Sequence, residues 1–162
     1  MKRTWAPKGR TPVIYNQIRN GKLSAINALR VSPKRERIAL YLRFSRGSLR
    51  GPAIEAFLSS LLRQVHGPII LLWDRNPIHK HRAVRAFIER HPRLQDEFFP
   101  GYAPELNPAE YVWAQSDAAL ANSAPDNVAE LKGLLNLARR RLHNSESLLW
   151  SCVYASDLPW TR

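Results

Sequence analysis

Two acidic residues, Asp74 and Glu110, lie 36 positions apart in settings that can aim a carboxylate. Asp74 follows the apolar run IILLW, so a strand should hold its backbone while its side chain emerges at the rim of a sheet. An Asp in that position also suits a turn cap, and DRNP would supply the turn. Glu110 sits in the stretch GYAPELNPAEYVW, three residues after Asn107, with Pro108 as the first helical residue. That spacing resembles a capping box, in which Glu110 turns back to the Asn107 amide. Alternatively, Glu110 opens a helix that begins at the sheet rim and faces Asp74. Two carboxylates brought together there are hard oxygen ligands, suited to Mg²⁺ or Mn²⁺ rather than zinc. Such a pair can hold ions that activate a water or hydroxyl and stabilise the leaving oxygen of a phosphodiester.

The elements that must position these residues follow from periodicity. TPVIY, KLSAINALRV and RIALYLRF read as three antiparallel strands, separated by Asn20-Gly21 and by Ser32-Pro33-Lys34, the first of these a hairpin turn. In RIALYLRF the side chains of Ile38, Leu40 and Leu42 share one face. Arg37, Tyr41 and Arg43 share the other, which is expected to stay wet. From Ile54 the period becomes helical, through Phe57, Leu58, Leu61, Leu62 and Val65, until Gly67-Pro68 stops it. IILLW suits a strand covered on both faces inside a parallel sheet. A helix is expected over His81 to Arg90, a further strand at LQDEFF, and helices from Pro108 and from Asp126. The Asp126 helix carries Arg139 to Arg141 at its end, where the helix dipole favours cations. A last helix followed by an irregular end fills Asn144 to Arg162. The layout is mixed α/β, with helices covering a sheet, and residues 1–162 are expected to form a single domain. Open sheets of this kind place their chemistry at the carboxyl ends of strands, where Asp74 sits.

The net charge of +12 is unevenly placed: residues 1–50 hold 13 Lys and Arg against the single acid Glu36, and residues 51–162 hold 12 of each sign. A basic segment on an otherwise balanced chain is the footprint expected for a phosphate backbone. Lys2, Arg3, Lys8 and Arg10 are candidate DNA contacts, or else a solvated terminus. The lone Cys152 excludes an internal disulfide and a multi-cysteine zinc site. No signal peptide and no membrane-spanning run is visible, so a cytoplasmic, soluble protein with no membrane partner is expected.

LLWDRNPIH followed by FPGYAPELNPAEYVW resembles the second and third acidic motifs of DDE transposases in the mariner and bacterial insertion-sequence superfamily. TWAPKGRTP and KLSAINAL resemble the segment that follows the first acidic motif in bacterial members. Gly101 stands where that pattern has proline. The resemblance implies a ribonuclease H and integrase-like mixed sheet flanked by helices. It further implies that Asp74 and Glu110 are the second and third ligands of two catalytic Mg²⁺ or Mn²⁺ ions. His79 would have a supporting place near them, with Asn107 at the helix start. It implies DNA, in the form of transposon ends, as substrate, and dimers as the working form. The family also uses a first aspartate on a central strand. No Asp precedes Asp74 in this chain, where the only acids are Glu36 and Glu55. The expectation is therefore a carboxyl-terminal transposase fragment, with its central first strand missing and little or no activity alone. An upstream polypeptide would supply that strand, or the chain is a decayed remnant. The competing expectation is a non-enzymatic nucleic-acid-binding or interaction module in which Glu110 only caps its helix.

Overall fold

The computed structural model describes residues 22–120, 123, 125 and 127–159. The expected strand TPVIY, the Asn20-Gly21 turn and the basic residues Lys2, Arg3, Lys8 and Arg10 lie outside the described residues. Two strands, β1 (Leu23–Val31) and β2 (Ile38–Arg46), form an antiparallel ribbon in which Leu29 faces Leu40 and Val31 faces Ile38. The Ser32 hydroxyl accepts from the Glu36 and Arg37 amides across their turn, and Arg35 takes the left-handed conformation at φ 55°. Then come α1 (Gly51–Gln64), β3 (Ile69–Trp73), a 3-10 turn at Pro77–Lys80, α2 (Arg82–Glu89) and β4 (Leu94–Phe98). β4 lies parallel to β3, with Ile69 beside Leu94 and Trp73 beside Phe98. A second 3-10 turn at Pro104–Leu106 leads into α3 (Pro108–Leu120), α4 (Val128–His143) and α5 (Glu146–Tyr154).

The apolar stripe of α1 forms as its spacing demands: Ile54, Phe57, Leu58, Leu61 and Leu62 are all buried, and so is Val65 just beyond. They join Trp73, Val84, Phe87 and Leu94 in one cluster, against which Ile26, Ala28 and Tyr41 from the ribbon and Ile69 and Leu71 from β3 also pack. One helical layer thus serves both pairs of strands. Three close fits fix it in place. Gly51 sits under the His81 ring, where any Cβ would collide. The His81 ring nitrogen in turn caps α2 by accepting from the Ala83 amide at 3.2 Å. At the other end of α1, Arg93 gathers carbonyls that a helix terminus leaves unpaired: its guanidinium donates to Val65 at 2.6 Å, Gly67 at 3.0 Å and Leu62.

The opposite face of the ribbon carries a second cluster in which Ile38 and Leu40 meet Val112, Leu142, Leu149, Cys152 and Val153 of α3, α4 and α5. Tyr41 corrects the expectation of a wet face, since it packs against the α1 cluster while its neighbour Arg43 stays exposed. A second correction concerns IILLW. Only Ile69, Leu71 and Trp73 turn toward the helices, whereas Ile70 is 70% and Leu72 47% exposed. The reason is the placement of the second helical layer, which contacts β2 and β1 through α3, α4 and α5 and leaves the outer face of β3 without cover. The two sheets, β1-β2 and β3-β4, are not hydrogen-bonded to each other. The fold is thus a mixed α/β arrangement in which helices cover two separate two-stranded sheets.

Because Leu58 is 2% exposed at the centre of the α1 cluster, Leu58→Ala is expected to lower unfolding free energy by about 3 kcal/mol. Leu137→Ala, at a side chain 56% exposed, should change it by less than about 0.5 kcal/mol. Urea denaturation of both variants measures the contrast.

Candidate functional site

Parallel pairing brings the carboxyl ends of β3 and β4 to the same rim, and the chain leaves both strands there. Asp74 is the first residue past β3, with a side chain 52% exposed. Its Oδ1 accepts from the Asn76 amide at 2.9 Å, the turn cap that DRNP suggested. The same oxygen accepts from His79 Nε2 at 3.1 Å. Oδ2 has no partner among the described residues, so one oxygen orients the group and the other is left to bind. The cap and ligand alternatives for Asp74 are therefore compatible.

The 3-10 turn at Pro77–Lys80 brings His79 back over the strand end, where its ring stacks on Trp73 with centroids 4.4 Å apart. Burial against the indole pushes the imidazole pKa down, and this outweighs the upward pull of the Asp74 charge and hydrogen bond. A neutral ring then donates from Nε2 to the carboxylate, which leaves Nδ1 buried without a partner, as is Trp73 Nε1. His81 does not join this group. It caps α2, its ring nitrogen engaged by the Ala83 amide.

The loop from Phe99 to Asn107 ties this rim to the helix that bears Glu110. The Phe99 amide extends the β3-β4 ladder by donating to Trp73 O at 2.9 Å. Arg75 Nε donates to Phe99 O at 3.0 Å, and Gly101 lies against the Arg75 side chain. At the far end Asn107 caps α3, its Oδ1 accepting from the Ala109 amide at 3.1 Å. The capping box itself does not form. The Asn107 amide donates to Pro104 O at 3.0 Å, and the exposed Glu110 carboxylate has no hydrogen bond or ion pair among the described residues. Glu110 is consequently spare as far as the helix is concerned. Asp74 and His79 are brought into contact, and Asn107 sets the start of the Glu110 helix. No cluster of three or more His, Cys, Asp or Glu side chains suited to a metal ion occurs among the described residues.

One feature of the rim was masked by charge totals taken over long segments. Residues 75–88 hold Arg75, Lys80, Arg82 and Arg85 and no acid, and all four are exposed. Lys80 Nζ lies 5.8 Å from the centre of the Phe98 ring. A count over 15-residue windows would have revealed this basic stretch directly after Asp74. Capping and chemistry separate by substitution. Asn107→Ala should cost about 1 kcal/mol of stability, whereas Glu110→Gln should change it by less than about 0.5 kcal/mol, both read from thermal unfolding.

A family model described as DDE superfamily endonuclease matches residues 1–132. No curated protein matches the chain. Among solved structures, the Mos1 mariner paired end complex with Mn matches with a TM-score of 0.65 at 17% identity, over 94% of this chain and 46% of that one. The Mos1 Strand Transfer Complex matches with a TM-score of 0.57 at 17% identity, over 99% and 51% of the two chains. For the catalytic domain of Mos1 mariner transposase the values are 0.52 and 18%, over 84% and 83%. The chain therefore spans about half the length of the chains in the two complexes and most of the catalytic domain. At these identities the likeness is one of fold, and it places the two sheets and their helices in the architecture of that catalytic domain. With the family model covering most of its length, the chain belongs to the DDE superfamily of endonucleases.

Proposed function

We propose that the chain is part of a transposase catalytic domain, residues 1–162 forming one unit, in which Asp74 and Glu110 hold Mg²⁺ or Mn²⁺ against a DNA backbone. The observation that carries this is the freedom of the Glu110 carboxylate. A residue that merely capped α3 would be engaged with the Asn107 amide, and that amide donates elsewhere. The donor set fits a hard divalent cation in kind, since Asp74 Oδ2 and both Glu110 oxygens are unengaged carboxylate oxygens. Bound divalent ions would supply charge stabilisation for in-line attack of water, and then of a DNA 3′ hydroxyl, on a phosphodiester. The chain's own residues contribute orientation and charge. His79 and the Asn76 amide fix the Asp74 carboxylate, Asn107 fixes the helix carrying Glu110, and Arg75 and Lys80 bring positive charge to the rim. The intact protein acts as a dimer on transposon ends in the cytoplasm. No helix among the described residues is long and apolar enough to cross a membrane.

The third carboxylate comes from an upstream strand that enters between β1 and β3, whether fused to this chain or carried on a separate polypeptide; the alternative is a decayed remnant. Both of those strands have an unpaired second edge among the described residues. Added along such edges, a strand would pair backbone N–H and C=O groups that otherwise have no ladder partner there.

Alone, the chain should show little or no Mn²⁺-dependent nicking of supercoiled DNA. Co-expression with an Asp-bearing strand segment should raise both solubility and Mn²⁺ affinity; no change in either would rule out the added strand. Asp74→Asn should remove whatever nicking appears, and nicking that survived it would remove Asp74 from the site. His79→Ala, which frees the carboxylate to rotate, should weaken Mn²⁺ binding about tenfold, as read by calorimetric titration.

A further inference from the structure

Glu105 carries a backbone carbonyl that its own turn cannot satisfy. Within the 3-10 turn, Leu106 donates to Ala103 O at 3.2 Å and Asn107 to Pro104 O at 3.0 Å. The next donor in that series would be residue 108, which is proline and has no amide hydrogen. One residue further on, the Ala109 amide is already taken by Asn107 Oδ1. A backbone oxygen left in this way needs a donor from elsewhere, and Glu105 O accepts from the Asp157 amide at 2.9 Å, from just past the end of α5. That amide is firmly placed. Leu149, Cys152 and Val153 anchor α5, each no more than 2% exposed, in the cluster that includes Val112 of α3. At the end of the helix the Ser156 amide and hydroxyl both donate to Val153 O, at 3.2 and 2.6 Å, and Ser156 is itself buried. This closure stops the helix and leaves the following amide, that of Asp157, to serve Glu105.

Through this tie Glu110 is placed as well, because the turn and the start of α3 form one relay: Asn107 donates to Pro104 O, and Glu110 donates to Asn107 O at 3.0 Å. These bonds are local, so they fix the shape of the entry and not its position in the molecule. On the β4 side Arg75 holds the connector at Phe99. Residues 100–103 intervene, among them Gly101 and Tyr102, whose backbone is left-handed at φ 56°. Among the described residues, no hydrogen bond from a distant element reaches the turn Pro104–Leu106 except that of the Asp157 amide. We propose that Asp157 is a positioning residue for Glu110: its amide fixes the turn from which α3 starts, and so the place at which the Glu110 carboxylate meets a divalent ion. The assignment rests on the metal site proposed above. It adds the C-terminal segment to that site through a backbone bond alone, with no side chain of the segment in contact with the ion.

The test compares, in the full chain, Asp157→Pro, which removes the amide hydrogen, with Asp157→Ala, which keeps it. Calorimetric titration with Mn²⁺ should show affinity about tenfold lower for Asp157→Pro and unchanged for Asp157→Ala. In a Glu110→Gln background, Asp157→Pro should cost nothing further, since both changes act through one ligand. Hydrogen exchange gives a readout that does not depend on the ion. Without Mn²⁺, the Leu106, Asn107 and Glu110 amides should exchange faster in Asp157→Pro, while amides of α1 and β3 keep their wild-type rates. Should Asp157→Pro fail to fold, a chain ending at Ser156 lacks the same donor and takes its place. Unchanged exchange at those three amides, an equal loss of affinity in Asp157→Ala, or a further loss on top of Glu110→Gln overturns the positioning role and leaves the metal site standing. Faster exchange there with Mn²⁺ bound as tightly as before, or a wild type that takes up no Mn²⁺, overturns Glu110 as a ligand instead.

Discussion

The apolar face of α1 is the constraint on which the architecture depends. Two sheets of two strands each share no hydrogen bonds, and an isolated two-stranded ribbon is marginal in water. They form parts of one body because residues of both pack in the cluster built around Ile54, Phe57, Leu58, Leu61 and Leu62. Each such side chain contributes about 1.5–3 kcal/mol by leaving water. The fit at the helix ends follows from the same demand. Gly51 admits the His81 ring, and Arg93 closes the opposite terminus, so the helix cannot slide along the strands it joins.

From that fixed layer the geometry of the rim follows with few further choices. A parallel β3-β4 pair in register sends Asp74 and Phe99 out side by side. The Arg75 side chain then binds the loop that leads to Asn107, and Asn107 starts the helix carrying Glu110. His79 folds back onto Trp73 because a single 3-10 turn reverses the chain, with the Asn76 side chain accepting from the Ile78 amide at 3.1 Å. The carboxylate of Asp74 is thereby oriented by its own downstream sequence. Orientation of this local kind needs no long-range contact, and it is available before any partner binds.

Much of this was legible in the residues themselves. The stripe of α1, the cap at Asn107, the arginines ending α4 and the position of Asp74 follow from spacing and residue type, which act locally. What stayed hidden depends on tertiary placement. An apolar run such as IILLW reads the same whether one face or both are covered, and only the position of α3, α4 and α5 over the ribbon decides it. Tyr41 alternates as an outward residue, yet the ribbon lies between two helical layers. The Trp73–His79 stack and the left-handed Tyr102 arise from turn geometry, for which residue types give no signal. The parting of the strands into two sheets is invisible to periodicity, which reports strands and not their neighbours.

The open side of β3 has a further consequence. Ile70 and Leu72 present an apolar surface beside backbone groups that no neighbouring chain segment occupies among the described residues, and such an edge templates extension by any compatible strand, including one from an identical molecule. Two copies could pair edge to edge at β3 wherever nothing else covers it, so the exposed Ile70 and Leu72 make this edge the natural place to look for self-association.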